Sequence, residues 1–232
     1  NARSLTDEIR ARIAMPLQRV LFPAFSAIQS ERSRLQQSVM RSGRLLAAII
    51  IPVGVGLSAV SEELVPVIYG DKWLAMIPVL SLFGLGAAYR GSTAIASPLF
   101  NSQNRVSLAL KYNTIGTVLM VLGVLMTLPY GIVAVSTAVA LSSLYSLVTF
   151  RVGLGLIGLT THHALAILGR PSVSAAVMWS AIYLLRPFSK PWVPNLALLL
   201  IVHIGFGAVI YALTLHGLSR QYFRDFCEVA RK

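Results

Sequence analysis

The stretch LALLLIVHIGFGAVIYALTL, residues 196–215, decides the fold class of this chain. It contains no Asp, Glu, Lys or Arg. A helix needs roughly 20 apolar residues to cross about 30 Å of hydrocarbon, so the stretch is long enough for one span. Strands of membrane barrels run for only about 10 residues and alternate apolar with polar side chains, a pattern that this stretch lacks. We therefore predict a membrane-spanning α-helix.

Five further runs have the same apolar character, and the fifth run in the chain is the shortest of all. The chain is 56% hydrophobic and only 12% charged, about half the charged fraction of a typical soluble protein. These features predict an all-α, polytopic membrane helix bundle with six spans. Besides 196–215, the predicted spans are Leu45–Tyr69, Leu74–Phe100, Val106–Leu128, Ile132–Val152 and Val173–Leu185.

The basic residues predict the orientation of the bundle. A net charge of +12 suggests nucleic acid in a soluble protein, but here the cations flank apolar spans, where membrane lipids and orientation explain them. We expect no nucleic-acid partner. Alternate connections are rich in Lys and Arg, and such loops face the cytoplasm. A multi-pass protein of the bacterial inner membrane with both termini cytoplasmic is predicted. The rich set is Arg3, Arg10, Arg12, Arg19, Arg32, Arg34, Arg41 and Arg44, then Arg105 and Lys111, then Arg151 and Arg170, then Arg220, Arg224, Arg231 and Lys232.

Three regions are predicted along the chain: a cytoplasmic amphipathic segment over 1–42, the six-span lobe over 43–218 and a basic cytoplasmic tail over 219–232. In the first region, apolar residues recur at helical spacing, which fits either a lipid-binding surface helix or a solvated linker. Because the chain opens at Asn1 on polar sequence, we expect it to be a fragment with a further half upstream. The apolar set is Leu5, Ile9, Ile13, Leu17 and Val20.

No sequence motif indicates catalysis, so we predict no enzymatic activity, no cofactor and no metal. The lone Cys227 forms no internal disulfide, and His162 and His163 lack further metal ligands nearby. Glu62 and Glu63 are interpreted as a solvated outer loop, which leaves the spans without the buried carboxylates of proton or sodium pathways. His203 lies in the sixth span and is interpreted as a hydrogen-bonded histidine rather than a proton relay.

Arg90 is the outstanding candidate site residue because it lies well inside the second span. Placing Arg at the bilayer centre costs at least about 2.5–3.5 kcal/mol, so such residues usually serve function. The residue spacing predicts a polar stripe on one helix face, suited to a water-filled cavity where the guanidinium grips a phosphate with two hydrogen bonds. Alternatively, Arg90 snorkels to the headgroups or pairs with a carboxylate upstream. The stripe comprises Phe83, Ala87, Arg90, Thr93, Ser97 and Asn101.

Two other spans carry weaker polar stripes. Asn113 and Thr117 share a face of the third span, and Ser142, Tyr145, Ser146 and Thr149 share a face of the fourth. Such side chains either line a cavity or make packing and local hydrogen bonds. The predicted substrate-binding set is Arg90, Thr93, Ser97, Asn113 and Thr117.

Four short motifs resemble the C-terminal half of the polysaccharide transporters, the oligosaccharide flippases of the multidrug and oligosaccharidyl-lipid exporter superfamily. They are Val-Leu-Phe-Pro-Ala-Phe-Ser at 20–26, Tyr-Gly-Asp-Lys-Trp at 69–73, Ala-Tyr-Arg-Gly-Ser at 88–92 and Arg-Pro at 170–171. The resemblance covers nearly the whole chain, although each motif is short. One departure is Asn-Ser-Gln-Asn-Arg at 101–105, where the family often has a Gly-Arg-Pro turn.

The resemblance implies a transporter of twelve or more helices in two lobes around a cavity, of which this chain forms the C-terminal lobe. Its substrate is a lipid-linked oligosaccharide on polyprenyl pyrophosphate, moved by alternating access for exopolysaccharide, O-antigen or capsule synthesis. Arg90 is the position that fits a pyrophosphate contact, and polysaccharide polymerase or export proteins are implied partners. Two alternatives stay open: a cation-coupled drug antiporter of the same superfamily, and a non-transporting membrane scaffold of a polysaccharide synthase.

Overall fold

The computed structural model describes residues 23–189 and 195–218, and every regular element within them is helical. Six helical spans are long and apolar enough to cross a membrane, which confirms the predicted all-α, six-span class. Two 3₁₀ helices cover Asp71–Met76 and Leu128–Tyr130. The longer elements are α1 (Arg32–Ala59), α2 (Ser61–Tyr69), α3 (Ile77–Ser92), α4 (Ala96–Ser102), α5 (Val106–Thr127), α6 (Ile132–Leu156), α7 (Thr161–Ser189) and α8 (Leu196–Leu218).

The spans pack side by side in the order α5, α6, α3, α1, α7, α8. Helix α1 lies inside this row, and 44% of the residues in its most apolar stretch are buried. In α5, at the edge of the row, the corresponding share is 6%. Glycine allows α1 and α3 to approach closely, because a Cβ on Gly54 would lie 2.6 Å from the Gly84 carbonyl oxygen. The Tyr211 hydroxyl of α8 also donates to the Ala48 carbonyl of α1 at 2.9 Å. The buried core therefore centres on α1.

The two ends of the bundle differ in charge. The basic end carries Arg32 and Arg105 with the turn at 157–160, and Arg32 Nε donates to the Ile157 carbonyl at 3.0 Å. The acidic end carries the connection at 60–76, with Glu62 and Glu63, and the turn at 128–131. If the orientation predicted from the sequence holds, the basic end faces the cytoplasm.

The first predicted span is wrong at both ends. Helix α1 begins at Arg32, ends at Ala59 and is followed by the separate helix α2. Hydropathy detects only the part of a helix that lies in lipid, so the polar first turns of α1 lie outside the predicted span. At the break, the Ser61 hydroxyl donates to the Ser58 carbonyl at 2.9 Å, which satisfies one carbonyl at the end of α1.

The second span is interrupted between its two prolines. Helix α3 ends at Ser92 and α4 begins at Ala96, so Pro78 and Pro98 each fall in the first turn of a helix. A first-turn proline costs little, because its missing N–H has no partner within the helix. The break therefore forms where the sequence runs through Thr93 and small residues.

The fifth span is longer than predicted. Helix α7 runs unbroken over 29 residues from Thr161 to Ser189, so it begins well before the predicted start of this span. Pro171 lies inside α7 and is buried. Membrane helices tolerate such a proline, because neighbouring helices and local backbone adjustment satisfy the carbonyl it leaves without a donor.

The three regions predicted along the chain stay a prediction. Helix α1 runs through the position where the sequence places the boundary between residues 42 and 43. The apolar stripe at 5–20, the basic tail at 219–232 and Cys227 lie outside the described residues.

Candidate substrate cavity

A partly open cavity of about 450 Å³ lies between the α3–α4 break, α5 and α6, in the half of the bundle nearer the basic end. Its volume falls in the range of small-molecule sites, about 300–1,000 Å³. Its wall is rich in hydroxyl groups. The polar lining residues are Arg90, Thr93, Ser97, Tyr112, Asn113, Thr117, Ser142, Ser143, Tyr145, Ser146 and Thr149.

The helix break creates one wall of this cavity. Where α3 ends, the hydroxyls of Ser92 and Thr93 both donate to the Tyr89 carbonyl, at 3.0 and 2.9 Å. The Tyr89 carbonyl also accepts the Thr93 backbone N–H at 3.2 Å, so three donors converge on it where the helix ends. Small residues Ala94, Ala96 and Ser97 follow and leave space beside α5 and α6.

Arg90 projects into the cavity from the last turn of α3 and is half-buried. Its Nη2 donates to the Ser143 hydroxyl of α6 at 2.9 Å, and that hydroxyl in turn donates to the Val139 carbonyl at 2.9 Å. The serine therefore holds the guanidinium across the α3–α6 contact. Among the lining residues, all within the described part of the chain, Arg90 carries a charge and none is acidic. The cavity is thus electropositive, which favours an anionic ligand.

All five predicted binding residues line this cavity, although the structure does not test whether they bind substrate. Asn113 and Thr117 face it from α5, where the Thr117 hydroxyl donates to the Asn113 carbonyl at 2.9 Å. The predicted continuous stripe is wrong in detail, because the α3–α4 break interrupts it and Phe83, Ala87 and Asn101 do not line the cavity.

Sequence reasoning did not single out Tyr112, although its neighbour Asn113 was predicted. Tyr112 of α5 lines the cavity, as does Tyr145 of α6. Tyr145 packs against Gly116, where a Cβ would lie 2.9 Å from the aromatic ring. The glycine lets α6 place this tyrosine against the α5 backbone. The sequence signal for an aromatic ring in the cavity wall was the helix face that Tyr145 shares with Ser142 and Thr149.

A second polar cluster, at the acidic end, overturns two sequence interpretations. Glu63 is not in a solvated loop, because it is only 1% exposed and lies within 2.9–3.1 Å of the Arg186 guanidinium. The bundle therefore does contain a buried carboxylate. His203, fully buried on α8, lies beside it, with Nδ1 3.3 Å from Glu63 Oε1. One sequence signal could have revealed this cluster: an acidic pair, an arginine and a histidine all lie near the same predicted edge of the membrane.

Comparison with known proteins gives consistent matches. A family model described as polysaccharide biosynthesis protein matches residues 1–78. The chain is 33% identical over 103 residues to the lipopolysaccharide biosynthesis protein WzxC of Escherichia coli K12, covering 44% of this chain and 21% of that protein. It is 26% identical over 222 residues to the succinoglycan biosynthesis transport protein ExoT of Rhizobium meliloti, covering 91% and 43%. For the teichuronic acid biosynthesis protein TuaB of Bacillus subtilis the identity is 31% over 67 residues, covering 29% and 14%.

The chain is therefore similar to proteins of polysaccharide biosynthesis and transport. The resemblance seen in the sequence motifs is thereby confirmed. The chain spans less than half the length of these three relatives. No solved structure matches it. Its six apolar spans, together with these similarities, indicate a multi-pass membrane protein.

Proposed function

We propose that this membrane protein is a flippase. It moves an oligosaccharide linked to polyprenyl pyrophosphate across the bacterial inner membrane by alternating access, and it performs no hydrolysis or group transfer. The observation that carries this proposal is Arg90, a cation held in a hydroxyl-lined cavity inside a membrane-spanning bundle.

The chemistry of the cavity suits a pyrophosphate. A planar guanidinium can donate two parallel hydrogen bonds to phosphate oxygens, and these bonds are stronger where water is scarce. Hydroxyls from Thr93 and Ser97 and the amide of Asn113 lie around the same space and can complete the coordination. Because the pyrophosphate is the charged part common to all such lipids, this arrangement leaves the sugar sequence free to vary.

The size of the cavity suggests which part of the substrate it holds. About 450 Å³ accommodates a charged headgroup but not a whole lipid-linked oligosaccharide. We infer that the pyrophosphate and the adjoining sugar enter the cavity, while the lipid tail and the rest of the glycan lie outside it. If the basic end is cytoplasmic, the cavity loads from the leaflet in which such lipids are assembled.

The two alternatives make different demands on the cavity. An exporter of cationic drugs is favoured by acidic contacts, and the described lining offers aromatic rings such as Tyr112 and Tyr145 but contains the cation Arg90 and no acidic residue. A scaffold for a synthase needs no polar cavity at mid-bundle. The sequence argued against a cation-coupled antiporter because the spans lacked a buried carboxylate, and the buried Glu63 removes that argument. Glu63 lies at the acidic end, however, away from this cavity.

The test is the leaflet distribution of the lipid-linked glycan in cells that lack any second flippase. Deleting the gene should trap polyprenyl-pyrophosphate-linked glycan in the inner leaflet, and the wild-type gene should restore its outward movement. An unchanged distribution would favour the drug antiporter or the scaffold. Accumulation of a cleaved glycan in wild-type cells would instead indicate an enzyme.

A further inference from the structure

Three side chains of different chemistry share one face of α7 near the acidic end of the bundle. Trp179, Tyr183 and Arg186 follow one another at steps of four and three residues, a spacing that aligns side chains on a helix. The rings of Trp179 and Tyr183 stack, with their planes within 3° of parallel and their centroids 5.6 Å apart. Trp179 is 38% exposed and Tyr183 58%. This face of α7 therefore presents an ordered, accessible aromatic surface beside a guanidinium.

The same face of α7 forms one wall of a second cavity, the acidic-end cavity. This cavity is partly open and has a volume of about 260 Å³. Sites for drug-sized ligands span about 300–1,000 Å³, so a smaller group such as a single ring suits this volume. Helices α1, α2 and α3 supply the facing wall. Its polar residues are Ser58, Ser61, Glu62 and Ser81.

The polar groups of the acidic-end cavity include both donors and acceptors. The hydroxyl oxygens of Ser58 and Ser81 lie 2.7 Å apart and share a hydrogen bond between α1 and α3, and a hydroxyl has two acceptor lone pairs besides its hydrogen. The half-exposed Glu62 carboxylate accepts hydrogen bonds, and the Trp179 indole N–H donates one. The cavity is therefore matched to a ligand whose own groups both donate and accept, as alcohols do.

The charges beside the acidic-end cavity favour an uncharged ligand. Arg186 donates to the two Glu63 carboxylate oxygens at 2.9 and 3.1 Å. Its Nη2 also donates to the Ala59 carbonyl at 2.6 Å, and its Nη1 lies 2.9 Å from Glu62 Oε1. A phosphate would compete with these acceptors for the guanidinium and would be repelled by the Glu62 carboxylate on the wall. Neither obstacle applies to a neutral, hydroxyl-bearing group.

A sugar ring matches both walls of this cavity. The C–H groups on one face of the sugar pack against an aromatic ring, whose π face carries partial negative charge. Its hydroxyls pair with the carboxylate and hydroxyls opposite. Aromatic side chains also anchor helices at membrane interfaces, and the Tyr69–Trp73 pair at the same end fits that role. Its rings are tilted by 56°, and neither belongs to the described lining of the cavity.

We infer that the acidic-end cavity binds one neutral sugar ring, with Trp179 and Tyr183 as its aromatic platform. That the sugar belongs to a transported glycan rests on the proposed flippase function. The site is separate from the Arg90 cavity, because Ser81 lies in the first half of α3 and Arg90 in its last turn. If the basic end is cytoplasmic, the sugar site holds the glycan on the side where it is released.

The first test follows Trp179 directly. The full-length protein is labelled with fluorotryptophan, placed in lipid nanodiscs and studied by ¹⁹F NMR, and Trp179→Phe identifies the Trp179 signal by its loss. The probe is the free, phosphate-free oligosaccharide released by mild acid from the polyprenyl-pyrophosphate lipid of the producing cells. We expect this glycan to shift the Trp179 signal in a saturable manner and to leave the Trp73 signal unchanged.

Two tyrosine substitutions test the platform against a matched pair. Tyr183→Ala should weaken the affinity measured at Trp179 by about tenfold, because one aromatic contact is lost. Tyr183→Phe keeps the ring and should retain most of the affinity, which separates the loss of the platform from a folding defect. Tyr69→Ala removes the partner of Trp73 at the same end and should leave the titration unchanged.

The outcomes that overturn the sugar site are specific. A Trp179 signal that ignores the glycan, or that shifts no more than the Trp73 signal, would leave both aromatic pairs as interfacial anchors. An affinity that is the same in folded Tyr183→Ala as in wild type would remove the platform.

A second probe separates this site from the proposed function. Inorganic pyrophosphate should bind the wild-type protein and Trp179→Phe alike, should bind Arg90→Ala weakly, and should leave the Trp179 signal unshifted. If the glycan titrates Trp179 but the protein moves no lipid-linked glycan, the proposed function fails and the sugar site stands. If lipid-linked glycan is moved while Trp179 ignores the free glycan, the function stands and the sugar site is wrong.

Discussion

Arg186 and Arg90 both lie within membrane-length helices, and their surroundings differ in kind. Arg186 is buried against Glu63 and Glu62, so its charge is neutralised inside the protein. Arg90 donates to the neutral Ser143 hydroxyl at the edge of a cavity whose described lining contains no acid. The comparison teaches that a cation in a membrane span is not by itself a ligand site. Among the described residues, two carboxylates lie beside Arg186, whereas a hydroxyl group lies beside Arg90.

The largest effect is expected from Arg186→Ala, on stability. Removing one partner of a buried ion pair typically costs about 3–5 kcal/mol, because the other charge is left uncompensated. Arg186→Ala should therefore sharply lower thermal stability and protein level, whereas Arg90→Ala should leave both near wild type. Thermal unfolding in detergent and membrane protein levels measure this. The double variant Arg186→Gln/Glu63→Gln should recover part of the loss, and no recovery would argue against the ion pair as the cause.

The next largest effect is the loss of export in Arg90→Ala. A hydrogen bond to a charged group contributes about 1.5–3 kcal/mol, so flipping should fall by roughly tenfold to a hundredfold at unchanged protein level. Arg90→Lys should restore only part, because an ammonium lacks the planar two-donor geometry. Arg105 is an exposed arginine at the basic end, so Arg105→Ala is the control for the loss of one positive charge and should export normally. Normal export by Arg90→Ala would remove the phosphate-binding role.

A smaller effect is expected when the support of Arg90 is removed. Ser143→Ala deletes the hydroxyl that holds the guanidinium, and a single hydrogen bond contributes about 0.5–1.5 kcal/mol. Export should fall by a factor of about 2 to 10. Ser146→Ala, another cavity serine of α6, gives a comparison without loss of the Arg90 contact. If both serine variants behave alike, Ser143 acts as lining rather than as support.

The smallest effect on the protein is expected from surface cysteine substitutions, which test which end of the bundle faces the cytoplasm. After Cys227→Ser, the exposed residues Lys72 and Arg105 at opposite ends of the bundle can each be replaced by cysteine. An impermeant thiol reagent should label Lys72→Cys in intact cells and Arg105→Cys only after permeabilisation, because loops rich in basic residues face the cytoplasm. The reverse pattern would place the Arg90 cavity nearer the outer leaflet and the Glu63–Arg186 ion pair nearer the cytoplasm.

Hydropathy alone determined the number of spans and their approximate positions. Whether a segment prefers lipid depends on its own side chains, so Leu196–Leu218 could be recognised without its neighbours. For the same reason the sequence pointed to Arg90, whose cost in lipid is a local property. The five predicted binding residues come from two polar stripes, one on the second predicted span and one on the third. They share one cavity because these two spans lie on either side of it.

Only the tertiary structure decided where helices break and which charges meet. The α3–α4 break and the continuous α7 depend on whether neighbouring groups satisfy the backbone near a proline, which no local pattern records. Glu63 looked solvated because its sequence neighbours are polar and it follows an apolar run. Its burial depends on Arg186, 123 residues away, and on His203 of yet another helix. The cost of burying a charge is offset by partners in space, and only the packing of α2, α7 and α8 brings them together.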